Sequence, residues 1–279
     1  MEYWLAWFHE TNSGAEVKEI AQAAEQLGYA GIALSDHVAL PKVQESRHPL
    51  LGIPYDPATP NIEPITTAAT MAAVTETLQF MTYAYVMGMR DPFTVAKQAG
   101  ALADLSGNRF SLGLTPGWNT DEIALLGHNP RTRGKRFVES IDIINGLWTN
   151  DLFSYNGTHF NFTDVGISPR PAIPPRIFIG GNSPIALKRA AANAGWIGMN
   201  YSNEELKTIL TSLDELSNGA ATNYVIAAQE VNDAYVQSLE GMGVTGVVLM
   251  PWPVGIEAQT SLDEKLAAMA IAAECWMSN

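Results

Sequence analysis

The stretch LGLTPGWNTDEIALLG, from Leu112 to Gly127, has the pattern of a β-strand that turns directly into an α-helix. It begins with an apolar run, which is typical of a buried strand, and ends with a polar segment of helical spacing. Between the two lie Pro116, Gly117 and Trp118, and Asn119 stands where a helix N-cap is expected. Taken alone, the stretch predicts a turn with an exposed backbone.

The same strand-then-helix pattern continues along almost the whole chain. Short β-type runs alternate with longer amphipathic segments, several of which begin with Pro, Ser, Asp or Asn. The predicted strands are Tyr3–Phe8, Gly31–Ser35, Leu78–Met87, Arg109–Thr115, Arg176–Gly180, Trp196–Asn200, Tyr224–Ala228 and Gly246–Met250. The predicted helices are Gly14–Leu27, Pro64–Glu76, Pro92–Leu105, Arg133–Trp148, Pro184–Asn193, Glu204–Leu216, Val231–Met242 and Ser261–Met277.

This count predicts an α/β fold of the (β/α)8 TIM barrel type, which needs about 250 residues. The alternative is an open doubly wound sheet, which binds its ligand where the strand order reverses. Because no low-complexity linker divides the chain, we expect one barrel domain over residues 1–279. Two segments exceed ordinary connections: Asp36–Glu63, and Asp151–Pro175 with a hairpin predicted around Asn156-Gly157, inserted after the fourth strand-helix unit.

Composition limits the possible partners. The formal net charge of -13 argues against binding to nucleic acid or to an anionic membrane surface, since both need a positive surface. Cys275 is the only cysteine, which excludes an internal disulfide framework and suits a reducing compartment. The N-terminal stretch MEYWLAWFHE has no basic region and only a short apolar run. We therefore expect a cytoplasmic protein that acts on a small molecule.

In a TIM barrel the chemistry lies at the C-terminal ends of the strands. Asp36 and His37 follow the second strand and are suited to acid/base chemistry, although a loop-starting Asp beside a solvated His gives the same pattern. The sequence Gly180-Gly181-Asn182-Ser183 follows the fifth strand and precedes a helix. Its glycines and the helix N-terminus predict an anion seat, and an ordinary capped turn is the alternative.

Two other kinds of site have little support. The histidines show neither an i, i+4 pair nor an accompanying carboxylate cluster, so no metal site is predicted. A Ser-His-Asp hydrolase is also disfavoured, because the chain has no G-x-S-x-G elbow. The five histidines are His9, His37, His48, His128 and His159.

Six motifs in a fixed order resemble the luciferase-like monooxygenase superfamily. The resemblance covers nearly the first 200 residues. A single motif such as GGNS would be weak evidence for a family, but six motifs in the same order are specific. The motifs are LSDH (34–37), RDPFTVAKQAGALADLSGNRFSLGL (90–114), GWNTDEIALLG (117–127), RGKRFVESIDIINGLW (133–148), NGTHF (156–160) and PPRIFIGGNSPIALKRAA (174–191). Family members are (β/α)8 barrels that bind flavin mononucleotide (FMN) or the deazaflavin coenzyme F420. The short chain and the GWNTDEIALLG and RGKRF motifs look most like the probable coenzyme F420-dependent oxidoreductases of this superfamily.

The resemblance also implies roles for individual residues. His37 matches a histidine that acts as proton donor in some members. In many members a non-prolyl cis peptide lies on the third strand, and here it would join Tyr83 and Ala84. The positions that match cofactor-binding positions are Asp36, Tyr83, Ala84, Thr115, Pro116, Gly117, Asn119, Gly180, Gly181, Asn182 and Ser183. Among these, 115–119 and 180–183 match the stretches that hold the ribityl and phosphate part.

The implied activity is hydride transfer between F420 and a small organic substrate. Alternatives are a two-component FMN-dependent monooxygenase, a non-catalytic cofactor-binding relative, and a barrel enzyme unrelated to redox chemistry. Pro116 departs from the family pattern: some F420-dependent sugar-phosphate dehydrogenases carry a catalytic glutamate near this point, so a sugar-phosphate substrate is not expected. Trp7, Trp118 and Trp252 are candidates for the walls of an apolar substrate pocket, and each is equally a candidate for core packing.

The last expectation concerns assembly. Relatives often form dimers through helices early in the barrel, and the predicted helices Pro64–Glu76 and Pro92–Leu105 are apolar enough to form such an interface. A homodimer is therefore an expectation, and a monomer is the alternative.

Overall fold

The strands of the chain close into a barrel. The computed structural model describes residues 1–8, 13–49, 52–199, 201–227, 231–253 and 260–277, with backbone alone at 226–227. The strands are β1 (Glu2–Trp7), β2 (Gly31–Leu34), β3 (Gln79–Thr82), β4 (Tyr85–Val86), β5 (Phe110–Thr115), β6 (Phe153–Asn156), β7 (Asn161–Val165), β8 (Arg176–Gly180), β9 (Gly195–Gly198), β10 (Thr222–Ala227) and β11 (Gly246–Leu249). Eight of these, in the order β1-β2-β3-β5-β8-β9-β10-β11, are parallel neighbours, and β11 pairs back to β1. The predicted TIM barrel is therefore confirmed, and the alternative of an open doubly wound sheet does not apply.

Helices surround the barrel, and most begin where a side chain can cap them. They are α1 (Gly14–Gln26), α2 (Pro64–Ala72), α3 (Pro92–Leu105), α4 (Thr120–Leu125), α5 (Arg133–Thr149), α6 (Pro184–Ala191), α7 (Asn203–Ser217), α8 (Asp233–Gly241) and α9 (Leu262–Trp276). Ser13, Asp91 and Ser183 accept from N–H groups in the first turns of α1, α3 and α6. Within the described residues, none of these helices combines the length and the apolar character needed to cross a membrane.

Alternate residues of each strand pack on opposite sides of the barrel wall. On β1, Trp4 and Ala6 join a cluster made largely of strand residues, which is the barrel interior. Leu5 and Trp7 belong to a larger cluster that contains helix residues, and they therefore lie between the wall and the helices. This alternation along each strand decides which side chains face the barrel interior and which face the helices.

The structure differs from the sequence prediction in two places, at the third strand and after β5. The predicted third strand is interrupted between β3 and β4, and a short 3-10 helix, Met87–Met89, follows β4. The short helix α4 is additional to the eight predicted helices. The inserted hairpin is confirmed as the antiparallel pair β6-β7. His9, Asn200 and Ala228, which the sequence places at strand ends, lie outside the described residues.

Candidate active site

The predicted site residues lie at one end of the barrel. Asp36 and His37 follow β2, Ala84 follows β3, Thr115 ends β5 and Gly180 ends β8. Because these strands are parallel, their C-terminal ends meet at the same rim. Two of these residues are close neighbours, since the Cβ of Ala84 is 3.8 Å from the point where a Cβ on Gly180 would lie.

The peptide bond between Tyr83 and Ala84 is cis, as the resemblance implied. The Tyr83 side chain belongs to the barrel interior, where its hydroxyl lies 2.6 Å from the Gly198 carbonyl and 2.8 Å from the Tyr224 carbonyl. Burial raises the pKa of Tyr83 well above its usual value, so the hydroxyl keeps its one proton and shares it between these two carbonyls. Tyr83 thus forms part of the floor below the rim.

Asp36 is held by the protein itself. Its two carboxylate oxygens each accept a 2.7 Å hydrogen bond from the Arg90 guanidinium, and Oδ2 also accepts from the N–H of Val86 at 2.7 Å. Burial lowers the pKa of Arg90, but Asp36 outweighs this effect and the pKa of Arg90 is raised. The Asp36 side chain is 0% exposed, and its bonds to Val86 and Arg90 tie the end of β2 to β4 and the segment that follows it.

His37 is paired with a glutamate that lies 85 residues further along the chain. The Nδ1 atom of His37 is 2.6 Å from Oε2 of Glu122, and the two side chains are 8% and 1% exposed. The other oxygen, Oε1, accepts from the N–H groups of Val38 at 2.7 Å and Ala39 at 3.1 Å. The Glu122 carboxylate is therefore bound by one short segment, 37–39, and His37 provides the only donor that is a side chain among the described residues.

The remaining residues around Glu122 fasten the same loop. Residues 119–122, here called the NTDE clasp, each form hydrogen bonds with the segment that follows β2. Asn119 accepts from the N–H of Glu122 and so caps α4 as predicted, while its Nδ2 donates to Oε1 of Gln44 at 2.9 Å. Asp121 accepts from the N–H of Ser46 at 2.8 Å, and hydrogen bonds from Ser46 lower the pKa of Asp121.

Three aromatic rings, those of Tyr55, Trp118 and His48, pack beside the His37–Glu122 pair. The ring of His37 lies 5.0 Å from Tyr55 and 5.7 Å from Trp118, measured between centroids. His48 stacks on Tyr55 at 4.9 Å with an interplanar angle of 8°. Trp118 thus lies next to the predicted proton donor, where an apolar pocket wall is expected.

Trp7 and Trp252 pack in the core between strands and helices, which is one of the two alternatives that the sequence left open for them. Their rings meet edge to face, with centroids 6.4 Å apart, behind the barrel wall, and they are 2% and 4% exposed. The Lys265 ammonium lies 5.8 Å from the Trp7 ring, in the layer between strands and helices. Trp7 follows Leu5 on the outward face of β1, and strand parity accounts for its position.

The turn after β5 is closed by internal packing. Gly117 has φ +95°, and a Cβ there would lie 2.5 Å from Cγ1 of Val86 and 3.1 Å from Cδ1 of Ile123. Its carbonyl oxygen accepts from Nε of Arg133 at 3.0 Å. This glycine is therefore required by the positive φ and by neighbouring side chains, and no ligand is needed to explain it.

The turn after β8 is open. Gly181 has φ +107° and is exposed, and the nearest atom to a Cβ built there is the Cβ of Ala186 at 3.4 Å. Asn182 and Ser183 are also exposed, and Ser183 caps α6 through its hydroxyl. The turn is anchored from below, because Nε1 of Trp196 donates to the Gly181 carbonyl at 2.8 Å. Backbone groups of this turn are thus accessible at the rim.

Three residues of this rim were missed by sequence reasoning. Glu122, Arg90 and Gln44 bind His37, Asp36 and Asn119 respectively. In the sequence, Glu122 looks like an ordinary acidic residue in the first turn of a helix, and only its burial distinguishes it. Among the described residues, no group of three or more His, Cys, Asp or Glu side chains is arranged to hold a metal ion.

The chain belongs to the luciferase-like monooxygenase family, whose model matches residues 4–231. An uncharacterized protein of Mycobacterium tuberculosis is 32% identical over 272 residues, which are 91% of this chain and 92% of that protein. A second relative, the FMNH(2)-dependent dimethylsulfone monooxygenase of Pseudomonas putida, is 30% identical over 168 residues, which cover 58% of this chain and 45% of that enzyme.

A solved structure shares the fold over the full length. An F420-dependent secondary alcohol dehydrogenase, solved with an F420-acetone adduct, superposes with a TM-score of 0.77 and covers 98% of this chain and 97% of its own. The sequence identity is 14%, so this likeness concerns the fold. The proteins that this chain resembles in sequence or in fold therefore include an FMNH(2)-dependent enzyme and an F420-dependent enzyme.

Proposed function

We propose that this protein is a coenzyme F420-dependent oxidoreductase that transfers a hydride between the deazaflavin and a small organic substrate. The observation that carries the proposal is the pairing, at one rim of the barrel, of an open backbone turn at Gly181–Ser183 with a held imidazole at His37. The first suits an anionic group of a cofactor and the second suits proton transfer.

The glycines at the end of β8 leave space at the rim. A Cβ on Gly180 would have no neighbour closer than 3.6 Å, and at Gly181 the nearest would be 3.4 Å away, so both glycines leave space that a side chain would fill. Gly181, Asn182 and Ser183 are exposed, and their backbone amides would hold the phosphate at a turn that leads into α6. Ala84, beside Gly180, would contact the ring.

The choice of the deazaflavin over FMN rests on the GWNTDEIALLG and RGKRF motifs, which look most like those of the probable coenzyme F420-dependent oxidoreductases of the family. An F420-dependent alcohol dehydrogenase also has this fold over nearly the whole chain. When bound, the deazaflavin would supply hydride transfer without activation of dioxygen.

The chain's own residues would prepare the site for that chemistry. His37 would hold or release a proton at Nε2, since its Nδ1 is engaged by Glu122. Asp36 and Arg90 would act indirectly, by fixing Val86 and hence the rim next to Ala84. Trp118 and Tyr55 would exclude water from one side of His37.

The substrate would be small and largely apolar. Pro116, near the end of β5, supplies neither an acid nor an N–H donor. Some F420-dependent sugar-phosphate dehydrogenases carry a catalytic glutamate near this position, so a sugar-phosphate substrate is disfavoured. The aromatic rings beside His37 are better suited to an alcohol or carbonyl group on an apolar body.

Equilibrium titration with both cofactors tests the proposal. Purified protein would be titrated with oxidised F420 and, separately, with FMN, and binding followed by fluorescence of the ring. We expect tight binding of the deazaflavin and much weaker binding of FMN. Tight FMN binding with no deazaflavin binding would contradict the proposal.

The second candidate is a two-component FMN-dependent monooxygenase, which the 30% identity to the dimethylsulfone enzyme supports. The discriminating measurement is dioxygen consumption by protein loaded with reduced FMN, with formation of an oxygenated product. A non-catalytic relative would instead bind the deazaflavin and transfer hydride to no acceptor in a panel of alcohols and carbonyl compounds.

A further inference from the structure

Glu122 is buried and accepts hydrogen bonds at both carboxylate oxygens, unlike a solvent-exposed residue in the first turn of a helix. Its side chain is 1% exposed, and its three donors, His37 Nδ1 and the N–H groups of Val38 and Ala39, all belong to the loop that carries His37. A buried carboxylate is costly unless donors satisfy it. Since the two backbone N–H groups both use Oε1, the other oxygen is left for the imidazole.

The chemistry of the two groups determines where the proton lies. A carboxylate has no hydrogen to donate, so the 2.6 Å contact requires a proton on Nδ1 of His37. Neutral His37 then carries its lone pair on Nε2. In the protonated imidazole, Nδ1–H remains bound to Glu122, and the second N–H, at Nε2, is the one that can be exchanged.

We propose that Glu122 is the positioning residue of His37, which holds Nδ1 protonated and fixes the ring so that Nε2 exchanges the proton of the reaction. A carboxylate behind a catalytic or ligating imidazole acts in this way in other proteins. The part that concerns the exchanged proton rests on the proposed function, whereas the tautomer of His37 does not.

The Glu122→Gln variant is a sharp test. It keeps the shape of the side chain and replaces one acceptor oxygen with an NH2 group, which is a donor. The N–H groups of Val38 and Ala39 require an acceptor, so the carbonyl oxygen of the new amide would stay with them. Its NH2 group would then face Nδ1 of His37 and donate to it. The proton of neutral His37 would consequently move to Nε2.

The tautomer is measured by 15N NMR of histidine-labelled protein at mildly alkaline pH, without any cofactor. We expect Nδ1–H in the unmodified protein and mainly Nε2–H in Glu122→Gln. Glu139→Gln is the matched control, because Glu139 also accepts from successive backbone N–H groups, those of 158–160, but lies by the hairpin. His37 should keep Nδ1–H in the control. Mainly Nε2–H in the unmodified protein, or an unchanged tautomer in Glu122→Gln, would overturn the assignment.

Kinetics test the second half of the proposal. With the deazaflavin bound, Glu122→Gln should lower kcat by about 100-fold or more and change KM and cofactor affinity by less than about threefold. Glu139→Gln should leave all three unchanged. An inverted tautomer with an unchanged kcat would remove the catalytic part of the proposal. If the unmodified protein binds no deazaflavin, the proposed function fails, and the NMR result in the unmodified protein still decides the tautomer.

Discussion

The turns that follow β5 and β8 look alike in the sequence and differ in the structure. Both place a glycine of positive φ just past a buried strand, followed by a helix capped by Asn119 in one case and Ser183 in the other. The first turn is filled by Val86 and Ile123 and fastened to the loop after β2, whereas the second is exposed. The difference shows that a glycine signals ligand access only where the protein leaves the backbone uncovered.

Under the proposed function, the work is divided between the two turns. The closed turn carries the NTDE clasp, which would position His37 for proton transfer, while the open turn would offer its backbone amides to an anionic group. Substitutions at the closed turn should affect turnover or stability, and substitutions at the open turn should affect binding. Four substitutions test this division, in order of decreasing expected effect.

The largest effect is expected for His37→Ala. Turnover should fall by about 100-fold or more, because the proton donor is lost. Cofactor affinity should remain, since His37 follows β2, and β3 and β5 separate that strand from β8 and the open turn. Steady-state kinetics and a cofactor titration on the same preparation measure both. Unchanged turnover would remove the role of His37.

Gly117→Ala should destabilise the fold strongly. The new methyl group would lie 2.5 Å from Val86 Cγ1 at a φ of +95°, which combines overpacking with backbone strain. We expect a loss of roughly 2–4 kcal/mol in the free energy of unfolding, measured with urea. A loss below about 1 kcal/mol would mean that the closed turn has room to give way.

Gly181→Ala is the corresponding change in the open turn and should cost less. Its Cβ would meet Ala186 at 3.4 Å, an ordinary contact, so mainly the strain of φ +107° remains. A loss of about 1–2 kcal/mol is expected in the same urea experiment. A loss as large as that of Gly117→Ala would abolish the distinction between the two turns.

The smallest effect is expected for Asp121→Asn, and it should depend on pH. Hydrogen bonds from Ser46 lower the pKa of Asp121 in the folded state, so its stabilising effect is complete above the unfolded value of about 4. That effect is lost as the pH falls through the lower folded value. The variant should be less stable than the unmodified protein by under about 1 kcal/mol at neutral pH, and the difference should shrink in acid. A difference that grows as the pH falls would contradict this sign.

The sequence predicted the parts of the structure that depend on local pattern or on family motifs. Periodicity identified the barrel strands, the turn signal at Asn156-Gly157 identified the β6-β7 hairpin, and the resemblance placed the cis bond at Tyr83-Ala84. The pattern did not show that Trp7 faces the helices, because strands of a TIM barrel are apolar on both faces and their parity is ambiguous. It also missed Glu122, whose partner His37 is 85 residues away and is brought near only by the path of the loop after β2.

The proposed function depends most on the open turn after β8, which we propose holds the phosphate of the deazaflavin. The direct test compares dissociation constants for F420 and for the deazaflavin riboside that lacks the phosphate and everything beyond it, in the unmodified protein and in Gly181→Ala. We expect the unmodified protein to prefer the phosphate-bearing form by about tenfold or more, and Gly181→Ala to lose most of that preference while it binds the riboside as before. Equal affinity of the unmodified protein for the two forms would contradict the proposal.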